Sequence, residues 1–206
     1  MQQDARIRNW PPDAHFPLAM LESVRGLNHR FLDLICSSGD WQPAARSRLP
    51  VEVVAQMTPL TAVQRRAVAG CPYALFDVRF QDEAHWLARL RNIGPWQVSD
   101  AVPGNGLMLR FVRLSLVFAW HVAAAAPVSA PLLLGMSEAT VAAFRGTPID
   151  CFPDWSEEEA VHLTARWSHC ATYWGALARA GARPDFPELR RIQLSGLQLA
   201  AAARLP

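Results

Sequence analysis

Residues 132–146, with the sequence LLLGMSEATVAAFRG, predict two short helices joined by a tight turn at Gly135. Two helices that pack at a steep angle need a small residue in the turn between them, and glycine supplies it. Ser137 has a side chain that caps helix N-termini, and Gly146 is a common residue at the end of a helix. The stretch therefore predicts a helix-turn-helix-like unit, although an ordinary helical turn at a glycine would give the same pattern.

The second of these two helices has an expected inner face and an expected outer face. Met136 and Val141 are apolar and are expected to pack inward. Glu138, Thr140 and Arg145 are expected to point outward, where a recognition helix contacts DNA. These three residues are therefore candidate DNA-contacting side chains.

Upstream of this unit, an apolar helix is expected over about residues 107–126, and Pro127 ends it. No apolar run reaches the ~18 residues that a membrane-spanning helix needs. The best candidate, residues 114–131, is interrupted by Pro127 and closes at Pro131. Residues 1–13 show no secretory signal. The sequence therefore predicts a soluble cytoplasmic protein with no membrane contact.

Downstream of the unit, Ser156 is expected to cap a helix that begins with three glutamates, residues 157–159. Acidic side chains stabilise a helix N-terminus because they face its partial positive charge. This helix is expected to continue to about Arg179. A last helix is predicted over residues 188–205, after two prolines.

The first half of the chain shows a similar order of elements. Its predicted elements are a helix over residues 18–36, a short helix over 51–57, a helix over 60–69, a short strand or extended segment over 73–80 and a helix over 82–93. Thr58 is the expected N-cap of the third element, with Pro59 at its first helical position.

Counted offsets suggest that the two halves are copies of one unit. Leu27 and Leu114 are 87 residues apart, and so are Arg79 and Arg166. Met57 lies 79 residues before Met136, so one insertion in each half, of opposite sense, would reconcile the offsets. Two helical hairpins of similar length would also look alike without a common origin.

The sequence thus predicts an all-α fold of two related helical units, with about four helices in each. The expected divisions are an N-terminal arm over residues 1–17, a first unit over 18–98, a linker over 99–106 and a second unit over 107–206.

The second half of the chain resembles FlhD, the D subunit of the bacterial flagellar master transcription regulator. The matching stretches are VRLSLVFAWHVA (112–123), LLLGMSEATVAAF (132–144), LTARWSHCATYW (163–174) and ELRRIQLSGLQLAAAARL (188–205). The first half carries the resemblance more faintly over residues 22–93, in MTPLTAVQRRAV and ALFDVRF.

The resemblance implies a helical regulator or adaptor of transcription. FlhD is a single unit that dimerises, so two units in tandem would resemble one dimer built as a single chain. FlhD also relies on a separate zinc-bearing subunit for tight promoter binding, and this sequence has no clustered four-cysteine site. Duplex DNA and a protein partner subunit are therefore the expected partners, with a homo-oligomer as a further expectation.

No catalytic motif appears in the sequence: there is no G-x-S-x-G, no Walker loop and no dinucleotide fingerprint. His162, His169 and Cys170 come nearest to a metal-ligand set, but two turns of helix would separate the histidines by about 10.5 Å. The alternative is two surface histidines and a buried thiol. No metal, no cofactor and no enzyme activity are therefore expected. The four cysteines form no C-x-x-C pair, so reduced thiols are expected.

All 20 basic residues are Arg, and the formal net charge is +2. Arginine suits phosphate recognition, but a GC-rich genome would also favour its codons. Arg65 and Arg66 are an adjacent pair that would contact phosphates or simply form a solvated helix face. Trp41, Trp96 and Trp155 are expected near loops, where aromatic side chains bind partners.

Two functions stay open on the sequence. The first is a FlhD-like transcription regulator that binds DNA alone or with a partner subunit. The second is a protein-interaction adaptor of a regulatory, motility or secretion assembly, without DNA contact. Exposure of Arg65, Arg66 and Arg145 on one face would favour the first.

Overall fold

The computed structural model describes residues 18–37, 48–92, 106–185 and 187–202, and the predicted all-α fold is confirmed within them. The helices are α1 (Leu18–Cys36), α2 (Val51–Met57), α3 (Ala62–Val68), α4 (Glu83–Arg91), α5 (Leu107–Ala125), α6 (Ala130–Leu134), α7 (Glu138–Gly146), α8 (Cys151–Glu159), α9 (Ala171–Gly181) and α10 (Pro187–Ala202). A 3₁₀ turn (Ala160–His162) and two short strands, β1 (Phe76–Asp77) and β2 (Thr164–Ala165), complete the described residues. The arm over residues 1–17, the linker before Gly106, Trp41 and Trp96 lie outside them.

The core joins the two long helices. Phe31 of α1 stacks on Phe111 of α5 at 5.8 Å between ring centroids. Phe76 of β1 meets Phe111 edge-on at 4.9 Å. Such ring pairs stabilise a core by about 0.5–1.5 kcal/mol beyond the apolar area that they bury. Side chains from both halves of the chain therefore form one continuous core.

Helix α5 is the one described helix whose length and composition would allow it to cross a membrane. The sequence argument missed it because it weighed residues 114–131, across Pro127, rather than Leu107–Ala125. In the structure α5 packs on α1, α7 and α8, and it buries Phe111, Leu116 and Val122 among others. Partial burial of this kind is what a core helix shows.

The two strands pair with each other across the halves. Phe76 lies opposite Ala165 and Asp77 lies opposite Thr164, in an antiparallel register. The pairing is symmetric, because the first residue of each strand lies opposite the second residue of the other. The short strand predicted within residues 73–80 is confirmed as β1.

Each strand leads into a turn of the same kind. Arg79 and Trp167 lie 88 residues apart, and both adopt a φ of 54°. The indole of Trp86 donates to the Arg79 carbonyl, and the indole of Trp174 donates to the Arg166 carbonyl, each at 2.9 Å. A helix follows in both cases, and its tryptophan fixes the turn before it.

The closing helices of the two halves are exchanged. Helix α4, which closes the first half, packs on α7 of the second half. Helix α9, which follows β2 in the second half, packs on α2 and α3 of the first. This reciprocal packing fits a tandem duplication, which stays a prediction.

The N-cap predicted at Thr58 is wrong. The Thr58 hydroxyl donates to the Val54 carbonyl at the end of α2. Helix α3 starts after Thr61 instead, whose hydroxyl accepts from the Gln64 amide at 3.3 Å while the Gln64 side chain accepts from the Thr61 amide at 2.8 Å. This reciprocal capping box satisfies two otherwise unpaired amides, which Thr58 followed by proline would not do.

The helix predicted from Ser156 to Arg179 is also wrong. Helix α8 ends at Glu159, so Ser156 lies inside the helix and the three glutamates lie at its C-terminal end. The Ser156 hydroxyl donates to the Pro153 carbonyl. Pairing of β2 with β1 requires extended backbone where the sequence favours helix, so a tertiary contact overrides the local preference.

Candidate functional site

The two short helices and the turn at Gly135 form as the sequence predicts. Gly135 ends α6 with a φ of +80°, in the left-handed region that favours glycine. A β-carbon at Gly135 would also lie 2.9 Å from the Arg166 guanidinium, so both conformation and space require glycine. Ser137 caps α7 by accepting from the Thr140 amide at 3.1 Å. Met136 is buried, so the predicted inward packing is confirmed.

The outer face of α7 differs from the prediction at Thr140. This side chain is fully buried and its hydroxyl accepts from the Ser137 hydroxyl at 3.0 Å. The expectation that Thr140 points outward is therefore wrong, because the third residue after a capping serine turns back toward the cap. Glu138 and Arg145 are exposed as predicted.

The fold places Arg65 and Arg66, the adjacent arginines of α3, in different environments. Arg65 is half-buried: its Nε lies 2.7 Å from Oδ1 of Asp33 on α1, and Nη1 donates to the Leu60 carbonyl. A phosphate would have to displace both partners, so Arg65 is not a ready DNA contact. Arg66 is exposed and keeps that role as a candidate. The 32-residue separation of Arg65 and Asp33 hides the ion pair from a sequence argument.

Trp155 is not a free partner anchor. Its ring is half-buried against Phe152, at 5.4 Å between centroids, and against Trp86 at 6.2 Å. The Arg89 guanidinium lies 5.4 Å from the ring centroid on its face. The proline-flanked sequence around Trp155 predicts a loop, but the residue lies within α8 and is held by these contacts.

A cleft of about 860 Å³ runs beside α7. Glu138 and Arg145 line it from α7, Val128 and Pro131 line it from the α5–α6 connection and the start of α6, and Ala200 lines it from α10. Val128 is 73% exposed. The cleft therefore combines three charged side chains, Glu138, Arg145 and the buried Arg166, with an apolar rim. Sequence reasoning missed it because its walls come from segments far apart in the chain.

A polar cluster joins α4 to α8. Glu159 is fully buried, and its Oε1 accepts from His85 at 2.8 Å and from Arg89 Nε at 2.9 Å. Arg89 also pairs with the exposed Glu158. The second oxygen of Glu159 has no hydrogen-bond partner among the described residues. The cluster fastens the closing helix of the first half to the second half. Sequence analysis predicted this glutamate as a helix-start charge.

His162 lies at the edge of this cluster, with its Nε2 3.3 Å from Nη1 of Arg79. Burial, and then the positive charge of Arg79, lower the pKa of His162 below its usual range. His169 and Cys170 follow in the turn after Trp167, so the single helix face supposed for a metal site does not form. Across residues 18–37, 48–92, 106–185 and 187–202, no three His, Cys, Asp or Glu side chains group as metal ligands.

A buried hydroxyl cluster lies where α9 and α10 meet the first half. The Tyr73 and Tyr173 hydroxyl oxygens are 2.8 Å apart, and Tyr73 donates to the Gln193 carbonyl at 2.6 Å. Cys71 lies 3.9 Å from the Tyr173 hydroxyl, and burial raises the pKa of its thiol to about 11. A thiol with so high a pKa stays protonated at neutral pH, so the cluster is structural rather than nucleophilic.

Comparisons with protein-family models, with curated proteins and with solved structures find no match.

Proposed function

We propose that this protein is a FlhD-like transcription regulator that contacts DNA weakly by itself and needs a partner subunit for tight binding. The observation that carries the proposal is the unit formed by α6, the left-handed Gly135 and the Ser137-capped α7. Its apolar side is fixed in the core through Met136, while Arg145 stays exposed on α7. A helix held in this way can present its outer face to a DNA groove.

The arrangement of α3 and α7 supports the proposal. Each begins with a hydroxyl side chain that caps it, Thr61 or Ser137, and each is packed by the closing helix of the other half. DNA-binding dimers use two related helices to reach two half-sites. Arg66 on α3 and Arg145 on α7 would be the exposed cations of such a pair.

Helices α3 and α7 carry only one exposed arginine each, which argues for a partner subunit. Each phosphate contact to duplex DNA contributes about 0.9 to the slope of log K against log salt. Two contacts, from Arg66 and Arg145, would give a slope of about −2 and a loss of only about tenfold in affinity between 50 and 200 mM salt. Tight binders make about 6–10 contacts, so most of the affinity would come from the partner.

The experiment is fluorescence anisotropy of a labelled mixed-sequence duplex, titrated with the full chain over about 50–200 mM salt. We expect weak binding whose salt slope falls by about two in an Arg66→Ala/Arg145→Ala variant. Arg25→Ala, which removes an exposed arginine from α1, is the matched control and should leave the slope unchanged. The titration is repeated with the zinc-bearing subunit that the resemblance implies.

An unchanged salt slope in the double variant would show that Arg66 and Arg145 do not contact DNA. Absence of binding at the lowest salt, with and without the zinc-bearing subunit, would reject the proposal.

A protein-interaction adaptor is the second candidate, and the charge of α7 favours it. Glu138 is exposed in the first turn of α7, where a recognition helix begins its base contacts, and its carboxylate repels phosphates. The cleft of about 860 Å³ beside α7 offers room for a protein side chain or helix. This candidate predicts no anisotropy change at any salt concentration.

A further inference from the structure

Two opposite charges stand at the ends of the exposed face of α7. Glu138 and Arg145 are both exposed, and neither makes an ion pair with any residue that the structure describes. They are seven residues apart, which is two helical turns and about 10.5 Å along the axis, so they lie on the same side of the helix. In α8, by contrast, Glu158 and Glu159 pair with Arg89 of α4.

The side chains between these charges are small, and they line the cleft beside α7. Ala142 is exposed midway between them, and Gly146 is exposed at the end of the helix, where an added β-carbon would meet nothing within 4 Å. Small side chains allow a second helix to approach to about 8 Å between axes. The face of α7 therefore carries a negative end, a middle of small side chains and a positive end.

We propose that this face is the contact surface for a second copy of the chain, docked with the two α7 helices antiparallel. In that orientation Glu138 of each copy lies opposite Arg145 of the other, and the pair occurs twice because the contact is two-fold symmetric. A parallel orientation would place like charges opposite each other. The surface is complementary to itself, so no foreign partner is needed to explain its charges.

The cleft beside α7 extends the contact. Val128 and Pro131 form an apolar rim next to the two charges, and docking of a second copy removes that rim from water. Exposed ion pairs contribute little by themselves, so the apolar rim supplies most of the affinity and the charges set the orientation. We expect a weak dimer whose population rises with protein concentration.

The experiment is sedimentation equilibrium of the full chain from about 1 µM to 1 mM, which spans the dissociation constants of weak complexes. Glu138→Arg and Arg145→Glu each replace two attractive pairs by two repulsive ones, so each should raise the dissociation constant about tenfold or more. The double variant, with both charges exchanged, restores attraction and should return to within about threefold of the unmodified chain.

Glu22→Arg and Arg25→Glu are the matched controls, because they make the same charge changes at exposed positions of α1. Both should leave the dissociation constant unchanged. All of these positions are exposed, so circular dichroism should show an intact fold in every variant.

A chain that stays monomeric at every concentration overturns the proposal. Single variants that dimerise as well as the unmodified chain place the contact elsewhere, and a double variant that is not restored rules out the antiparallel register. Docking covers Arg145, so a second copy and DNA would compete for the same face of α7, and the inference itself does not rest on DNA contact.

Discussion

The hydroxyl oxygens of Tyr73 and Tyr173 lie 2.8 Å apart in the core, so a buried hydrogen bond between these side chains joins the two halves of the chain. Tyr73 has a single hydroxyl proton, which it donates to the Gln193 carbonyl at 2.6 Å. Tyr173 is therefore the donor in the bond between the two tyrosines. Burial raises the pKa of both hydroxyls, which keeps them neutral and able to donate. The cluster connects the residues just before β1 to α9 and α10.

Replacing Tyr73 by Phe should destabilise the whole described fold. Tyr73→Phe leaves the Gln193 carbonyl without its donor and the Tyr173 hydroxyl without its acceptor, and unsatisfied buried groups cost about 1–3 kcal/mol each. We expect the free energy of unfolding in urea to fall by about 2 kcal/mol or more, in a single transition. Tyr173→Phe removes one donor only and should cost less. Equal losses in the two variants would contradict the donor assignment.

Gly196 is required where α10 crosses Tyr73. A β-carbon at Gly196 would lie 1.9 Å from the Tyr73 hydroxyl oxygen, which is far inside van der Waals contact. Gly196→Ala should therefore cost about 1–3 kcal/mol, through displacement of α10 or of the tyrosine. Gly26→Ala is the matched control on α1, because nothing lies within 4 Å of the added carbon. In the helix interior it should stabilise by about 0.5–1 kcal/mol. The same sign for both, in thermal or urea unfolding, would refute the packing argument.

The lowered pKa of His162 predicts a stability that declines in mild acid. Burial, and then the Arg79 charge, disfavour protonation of His162 in the folded state, while the unfolded chain protonates near its ordinary pKa of 6.5. Below that pH the unfolded state binds more protons, so stability falls as the pH falls, and above it this contribution is constant. The measurement is the free energy of unfolding from about pH 5 to 8 for the protein and for His162→Gln. The difference between the two should shrink as the pH falls; a difference independent of pH would contradict the prediction.

Sequence patterns correctly predicted the elements that depend on residues close together in the chain. The bounds of α1 match the predicted residues 18–36 because its apolar stripe is continuous, and α7 begins after Ser137 because capping depends on near neighbours. The choice between Thr58 and Thr61 failed because both are threonines before a helical pattern. Only the reciprocal bonds between Thr61 and Gln64 distinguish them.

The site was harder to predict because long-range contacts decide exposure. Arg65 and Arg66 are neighbours in sequence, yet only Arg65 meets Asp33 on α1. Thr140 was placed on the wrong face because the turn after Ser137 rotates it into the core. The cleft beside α7 depends on Val128 and Ala200, which no local pattern connects.

Because α9 packs on α2 and α3, the first half of the chain cannot complete its packing until the ribosome has made most of the second half. Helices α2 and α3 are made early, but their packing partner α9 begins only at residue 171. At about 5–20 residues per second, the roughly 100 residues between them take about 5–20 s to translate. During that interval α2 and α3 can pack on α1, but the surfaces that α9 covers in the finished fold stay exposed to water.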